Sequence, residues 1–108
     1  MSDDASKLQG KADLMSRVFL GRLPVRYEKM TAALALCRAD PADEASWVEL
    51  HRLLHALAEA AATFGRDGLA EQAGFMALLL EDMLKRDARS APDVEEVARL
   101  LTILQSAS

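Results

Sequence analysis

His51, His55 and Glu59 recur at four-residue steps, and by type and spacing they are the side chains best suited to chemistry in this chain. Residues four apart on a helix lie on one face, so two imidazoles and a carboxylate can point the same way. Imidazole titrates near neutrality, and a neutral, exposed ring nitrogen acts as nucleophile, base or metal ligand at cellular pH. Metal binding is the weakest of these readings. Zinc sites take three or four ligands, and the chain offers only these two histidines and a single cysteine, Cys37, set in an apolar run. Arg52, not glutamate, follows the first histidine, so the zinc-protease helix pattern is missing. No serine or cysteine motif supplies an oriented nucleophile for carbonyl chemistry.

His55 stands apart from its surroundings. Trp47, Leu50, Leu54, Leu57, Ala61 and Phe64 recur at the three-and-four spacing of one helix face, and His55 falls well outside that stripe. A helix that buries Leu54 and Leu57 therefore turns His55 to solvent. Taken alone, such a residue reads first as an ordinary solvated surface histidine.

The elements that must position it are helical. The 108 residues fit one domain, residues 1–108, with residues 1–10 expected to be flexible. Half the residues are hydrophobic while aromatics make up 5%, and Ala and Leu outnumber β-branched strand formers, which favours an all-α fold. A first stripe, Leu23, Tyr27, Met30, Leu34 and Cys37, begins beside Pro24, and the proline is expected to kink the helix or open its second segment. Met15, Val18 and Phe19 upstream predict a short extra N-terminal helix. Arg38 to Ala45 reads as the first connection, with Ser46 or an acid before it as the next N-cap. The helix bearing His55 is expected to stop at Gly65, and Gly65-Arg66-Asp67-Gly68 to form a turn. Leu69, Ala73, Met76, Leu80 and Met83 then form a third stripe, widened by Phe75 and Leu79 as in a helix packed on two neighbours. Ser90-Ala91-Pro92-Asp93 opens a fourth, through Val94, Val97, Leu101 and Leu104. These four amphipathic stretches predict an antiparallel up-and-down four-helix bundle with a short extra N-terminal helix.

Charge and composition narrow the partners. A formal net charge of -4 and a pI near 5.1 give no long-range attraction to nucleic acid or anionic membranes. Arg17, Arg22, Arg26 and Lys29 cluster locally and read as a solvated helix face or a docking patch. The acidic, polar start, Met1 to Ser6, lacks the pattern of a signal peptide, no apolar run spans a bilayer, and a lone Cys37 suits a reducing compartment. A cytoplasmic location is expected.

His55-x-Leu57, the small residues Ala60, Ala61 and Ala62, and then Thr63-Phe64-Gly65 ahead of another amphipathic helix resemble the histidine-containing phosphotransfer (HPt) family. Phe19-Leu20-Gly21-Arg22-Leu23-Pro24 and the run Leu50 to His55 look like the family's bacterial members, and the resemblance extends from Val18 to Leu104. It implies a phosphorelay role. His55 would accept a phosphoryl group from a receiver-domain aspartate and pass it to a response regulator. The implied partners are a receiver domain or hybrid histidine kinase, and the implied cofactor is magnesium on the receiver, with none bound to this chain. Arg52, Ala56 and Ala62 are expected at the receiver-docking surface, and Ala58, Glu59 and His51 are expected to modulate transfer. The family usually carries lysine three residues and glycine four residues after the histidine, where this chain has Ala58 and Glu59. The first change removes a cation that would balance a phosphohistidine, and the second adds a carboxylate and its bulk. Two readings follow: a relay protein, and a pseudo-HPt module that docks a receiver or kinase without carrying phosphate. A helical adaptor outside phosphorelay is a third. Partner identity and oligomeric state are not encoded in any motif; a monomer is expected, and a dimer would use the broad face of the third helix.

Overall fold

The computed structural model describes the backbone of residues 2–86 and 89–107 and the side chains of residues 10, 11, 13–86 and 89–106. Four helices follow in order: α1 (Ser2–Ala39), α2 (Glu44–Thr63), α3 (Asp67–Leu84) and α4 (Ala91–Ala107). Each packs on its neighbours in sequence, and α1 closes the ring against α4. With connections this short, consecutive helices run antiparallel, giving the up-and-down bundle the apolar stripes demand. There is no strand among the described residues.

One shared core explains the arrangement. Leu23, Met30, Leu34 and Cys37 of α1 meet Trp47, Leu50, Leu54, Leu57 and Ala61 of α2, Ala73, Met76, Leu80 and Met83 of α3, and Val94, Val97, Leu101 and Leu104 of α4. Trp47 is fully buried, and its indole N–H donates to the Pro41 carbonyl at 2.9 Å, so the first link is tied to the core it crosses.

The caps follow from local chemistry. Asp43 caps α2, its Oδ1 accepting from the Ala45 N–H at 3.2 Å and its Oδ2 from the Ser46 hydroxyl at 2.9 Å, so the acid before Ser46 holds the cap. Helix α2 ends as its glycine foretells. Gly65 adopts φ 72°, the Arg66 N–H donates to Ala61 and the Gly65 N–H to Ala62, which together satisfy two end carbonyls. At the start of α4 the Asp93 carboxylate accepts from both the N–H and the hydroxyl of Ser90, at 2.9 and 3.1 Å.

Four expectations are corrected. No separate short helix precedes Pro24, because α1 is continuous from Ser2 to Ala39 with Pro24 inside it. Pro24 withholds one N–H from the Leu20 carbonyl, yet both residues lie on the exposed side of α1, where water can satisfy that oxygen. The first connection is shorter than Arg38 to Ala45, spanning only residues 40–43. The turn after α2 is likewise shorter, since α3 already begins at Asp67, whose carboxylate suits a helix N-terminus. Phe75 does not widen the buried face of α3: it is 60% exposed, lying off the Ala73–Met76–Leu80–Met83 stripe. Met1, within the segment expected to be flexible, is outside the described residues; from Ser2 onward the backbone belongs to α1.

Helix α1 is also far longer than its partners. At about 1.5 Å per residue its 38 residues span about 57 Å against about 30 Å for α2. Among its described side chains the first in the core is Phe19, which stacks on Phe64 with ring centroids 5.3 Å apart.

Candidate functional site

His55 projects from the middle of α2 on the side opposite its buried stripe. Leu50, Leu54, Leu57 and Ala61 are fully enclosed, whereas the His55 side chain is 61% exposed. The helix is thus clamped from behind and open in front. Its imidazole Nε2 lies 3.0 Å from Glu59 Oε1, one turn along, an ion pair when the ring is protonated. His51, one turn before, is half-buried, and its ring lies nearly parallel to that of His55, at 9° with centroids 6.2 Å apart. The three residues singled out by spacing therefore share one face, and among the described residues they and their neighbours form no group of ligands able to hold a metal ion.

Two grooves flank this face. The first, about 710 Å³, lies between α2 and α3, with His51, His55, Ala58, Glu59 and Ala62 on one wall. Its other wall includes Glu71, Gly74, Phe75, Leu78 and Glu81. Helices α2 and α3 pack closely here. A Cβ built on Gly74 would sit 4.0 Å from the Ala58 Cβ, so small residues set the floor of the groove. Phe75 and Leu78 stand exposed on its far wall, 60% and 66% respectively. The second groove, about 400 Å³, runs between α1 and α2 and is lined by Arg22, Val25, Arg26, Lys29, Arg52, Leu53 and Ala56.

The expected docking residues are thereby divided. Arg52 and Ala56 face the α1 groove, whereas Ala62 and His55 itself line the α3 groove. Arg52 is held by Glu49, its Nε and Nη2 donating to the two carboxylate oxygens at 2.9 and 2.6 Å. That pairing, with Lys29 assisting, keeps the Glu49 carboxyl below its ordinary range. The α3 wall was not singled out in the sequence. The signal available was the position of Phe75 and Leu78 off the third stripe, since large apolar residues outside a core face mark contact surfaces.

The family model for the Hpt domain matches residues 14–108, and the chain belongs to that family, whose members act in phosphorelay signalling and interact with receiver domains and histidine kinases. No curated protein and no solved structure gives a match. Among the described residues no helix is long and apolar enough to cross a membrane.

Proposed function

We propose that this protein is a phosphorelay intermediate in which His55 accepts a phosphoryl group from a receiver-domain aspartate and passes it to a response regulator. The observation that carries the reading is the placement of His55: 61% exposed, on a helix whose opposite face is sealed into the core. Phosphoryl transfer asks mainly for positioning and charge neutralisation, and here the receiver would supply its aspartate pocket and a bound magnesium ion. The His55 nitrogen attacks phosphorus, an N–P bond forms as the acyl-phosphate O–P bond breaks, and the aspartate leaves as a carboxylate. The imidazole proton passes to solvent or to a nearby base. A bacterial, cytoplasmic setting belongs to the same proposal.

The contact between His55 and Glu59 favours a second reading, a docking module that carries no phosphate, because it engages a ring nitrogen that transfer needs free. The magnitude of that contact favours the relay. An exposed pair four residues apart on a helix is worth about 0.3–0.5 kcal/mol, little more than a factor of two in population. Such a latch slows transfer without preventing it.

Incubation with each phosphorylated receiver encoded in the same genome tests the proposal. Acid-labile label arriving on this protein from at least one receiver supports it. Receiver binding that survives His55→Ala in calorimetry, with no label reaching the wild type from any receiver, would replace it with the docking reading.

A further inference from the structure

The groove that His55 lines and the one on the other side of α2 carry opposite charge. Toward α3 the lining holds Glu59, Glu71 and Glu81 beside the two histidines and no lysine or arginine, whereas toward α1 it holds Arg22, Arg26, Lys29 and Arg52 and no carboxylate. Glu49, the acid paired with Arg52, is outnumbered there. A phosphoryl group on Nε2 brings close to two negative charges to an atom 3.0 Å from the Glu59 carboxylate. Like-charge repulsion then drives the group from the α3 side toward the α1 side. Within one helical turn of His55, at three or four residues in either direction, α2 carries His51, Arg52, Ala58 and Glu59, so the single permanent cation in that set is Arg52.

We propose that Arg52, backed by Arg22, Arg26 and Lys29, is the residue that holds a phosphoryl group on His55, exchanging the Glu49 carboxylate for phosphoryl oxygens once the N–P bond has formed. The inference rests on the reading of His55 as phosphoacceptor. A guanidinium fork pairs two-pronged with either a carboxylate or a phosphoryl group, and the more highly charged dianion is the stronger partner. Glu49 thus parks Arg52 while His55 is bare. Lysine would keep the charge but lose the fork, so Arg52→Lys should fall between wild type and Arg52→Gln.

The test uses the whole chain in a His51→Gln background, with phosphoramidate as the phosphoryl donor. The donor's P–N bond breaks, an N–P bond forms on His55, ammonia leaves and the imidazole proton passes to solvent. The half-life of the His55 phosphate is then followed by phosphorus NMR. Arg52→Gln should shorten it by roughly threefold to tenfold, an effect that shrinks at high salt, and Glu49→Gln should lengthen it by freeing the guanidinium. Arg99→Gln is the matched control, since Arg99 and Glu96 form a pair of the same spacing on α4, at 3.2 and 2.6 Å, and it should leave the half-life unchanged. Equal half-lives for wild type, Arg52→Gln and Arg99→Gln would overturn the inference. The donor bypasses the receiver, so the two proposals fail separately. Dependence on Arg52 with no transfer from any receiver overturns the relay role alone, and transfer with no such dependence overturns the role of Arg52 alone. Absence of label on His55 from phosphoramidate overturns both.

Discussion

Nε2 of His55 lies 3.0 Å from Oε1 of Glu59, so a carboxylate stands beside one ring nitrogen before any partner arrives. A carboxylate at that distance repels an incoming phosphoryl group. Both the charge and the bulk of Glu59 therefore oppose transfer through Nε2. Glu59→Gln should raise the transfer rate by roughly twofold to fivefold by removing charge, and Glu59→Ala should raise it further by removing bulk. Rapid-quench transfer from a phosphorylated receiver measures this. Rates equal to or below wild type in both variants would show that Glu59 is no brake.

Two glycines should respond in opposite directions. Gly21 lies inside α1 with nothing within 4 Å of a built Cβ, so Gly21→Ala should stabilise the fold by about 0.5–1 kcal/mol through helix propensity. Gly65 holds φ 72° at the end of α2, and Gly65→Ala should cost about 1 kcal/mol because a side chain strains that conformation. Urea denaturation gives both values, and changes of the same sign would contradict this account of the two backbones.

Periodicity carried the fold because each stripe had one place to go. Leu54 and Leu57 had to face a core, which settled the exposure of His55 without any tertiary information. Gly65 and Asp93 were equally legible, since each acts within a few residues of itself. What the sequence left hidden depended on neighbours. The continuity of α1 through Pro24 turns on the proline facing solvent, a fact about packing rather than propensity. The grooves were hidden for the same reason: Phe75 and Leu78 border the site only because α3 lies along α2, and Arg22, Arg26 and Lys29 join Arg52 only because α1 lies along its other side.

Exposure separates two apolar residues that composition treats alike. Leu54 is fully buried, and Leu54→Ala should cost about 2–5 kcal/mol of stability. Phe75 is 60% exposed, and Phe75→Ser should change stability by no more than about 0.5 kcal/mol while weakening receiver binding. Paired denaturation and calorimetry test this. A large loss of stability in Phe75→Ser, or unaltered binding, would remove Phe75 from the docking surface.

Cys37 should behave as an inert core thiol. Burial, with the Asp43 carboxylate adding to it, pushes its pKa up to about 11 from the ordinary 9.0. Iodoacetamide at pH 8 should label the folded protein far more slowly than the protein in denaturant. Because the raised value favours the neutral thiol in the folded state, its contribution to stability is complete below pH 9 and is lost as pH climbs from 9 toward 11. A Cys37→Ala variant should lack that decline relative to wild type. Equal labelling rates in the folded and unfolded states would contradict the burial of the thiol.

The central claim is that His55, and not its neighbour His51, carries the phosphoryl group. Transfer of radiolabelled phosphate from a phosphorylated receiver to wild type, His51→Gln and His55→Gln tests it directly. The prediction is acid-labile label on wild type and His51→Gln and none on His55→Gln; label that persists in His55→Gln and vanishes in His51→Gln would contradict it.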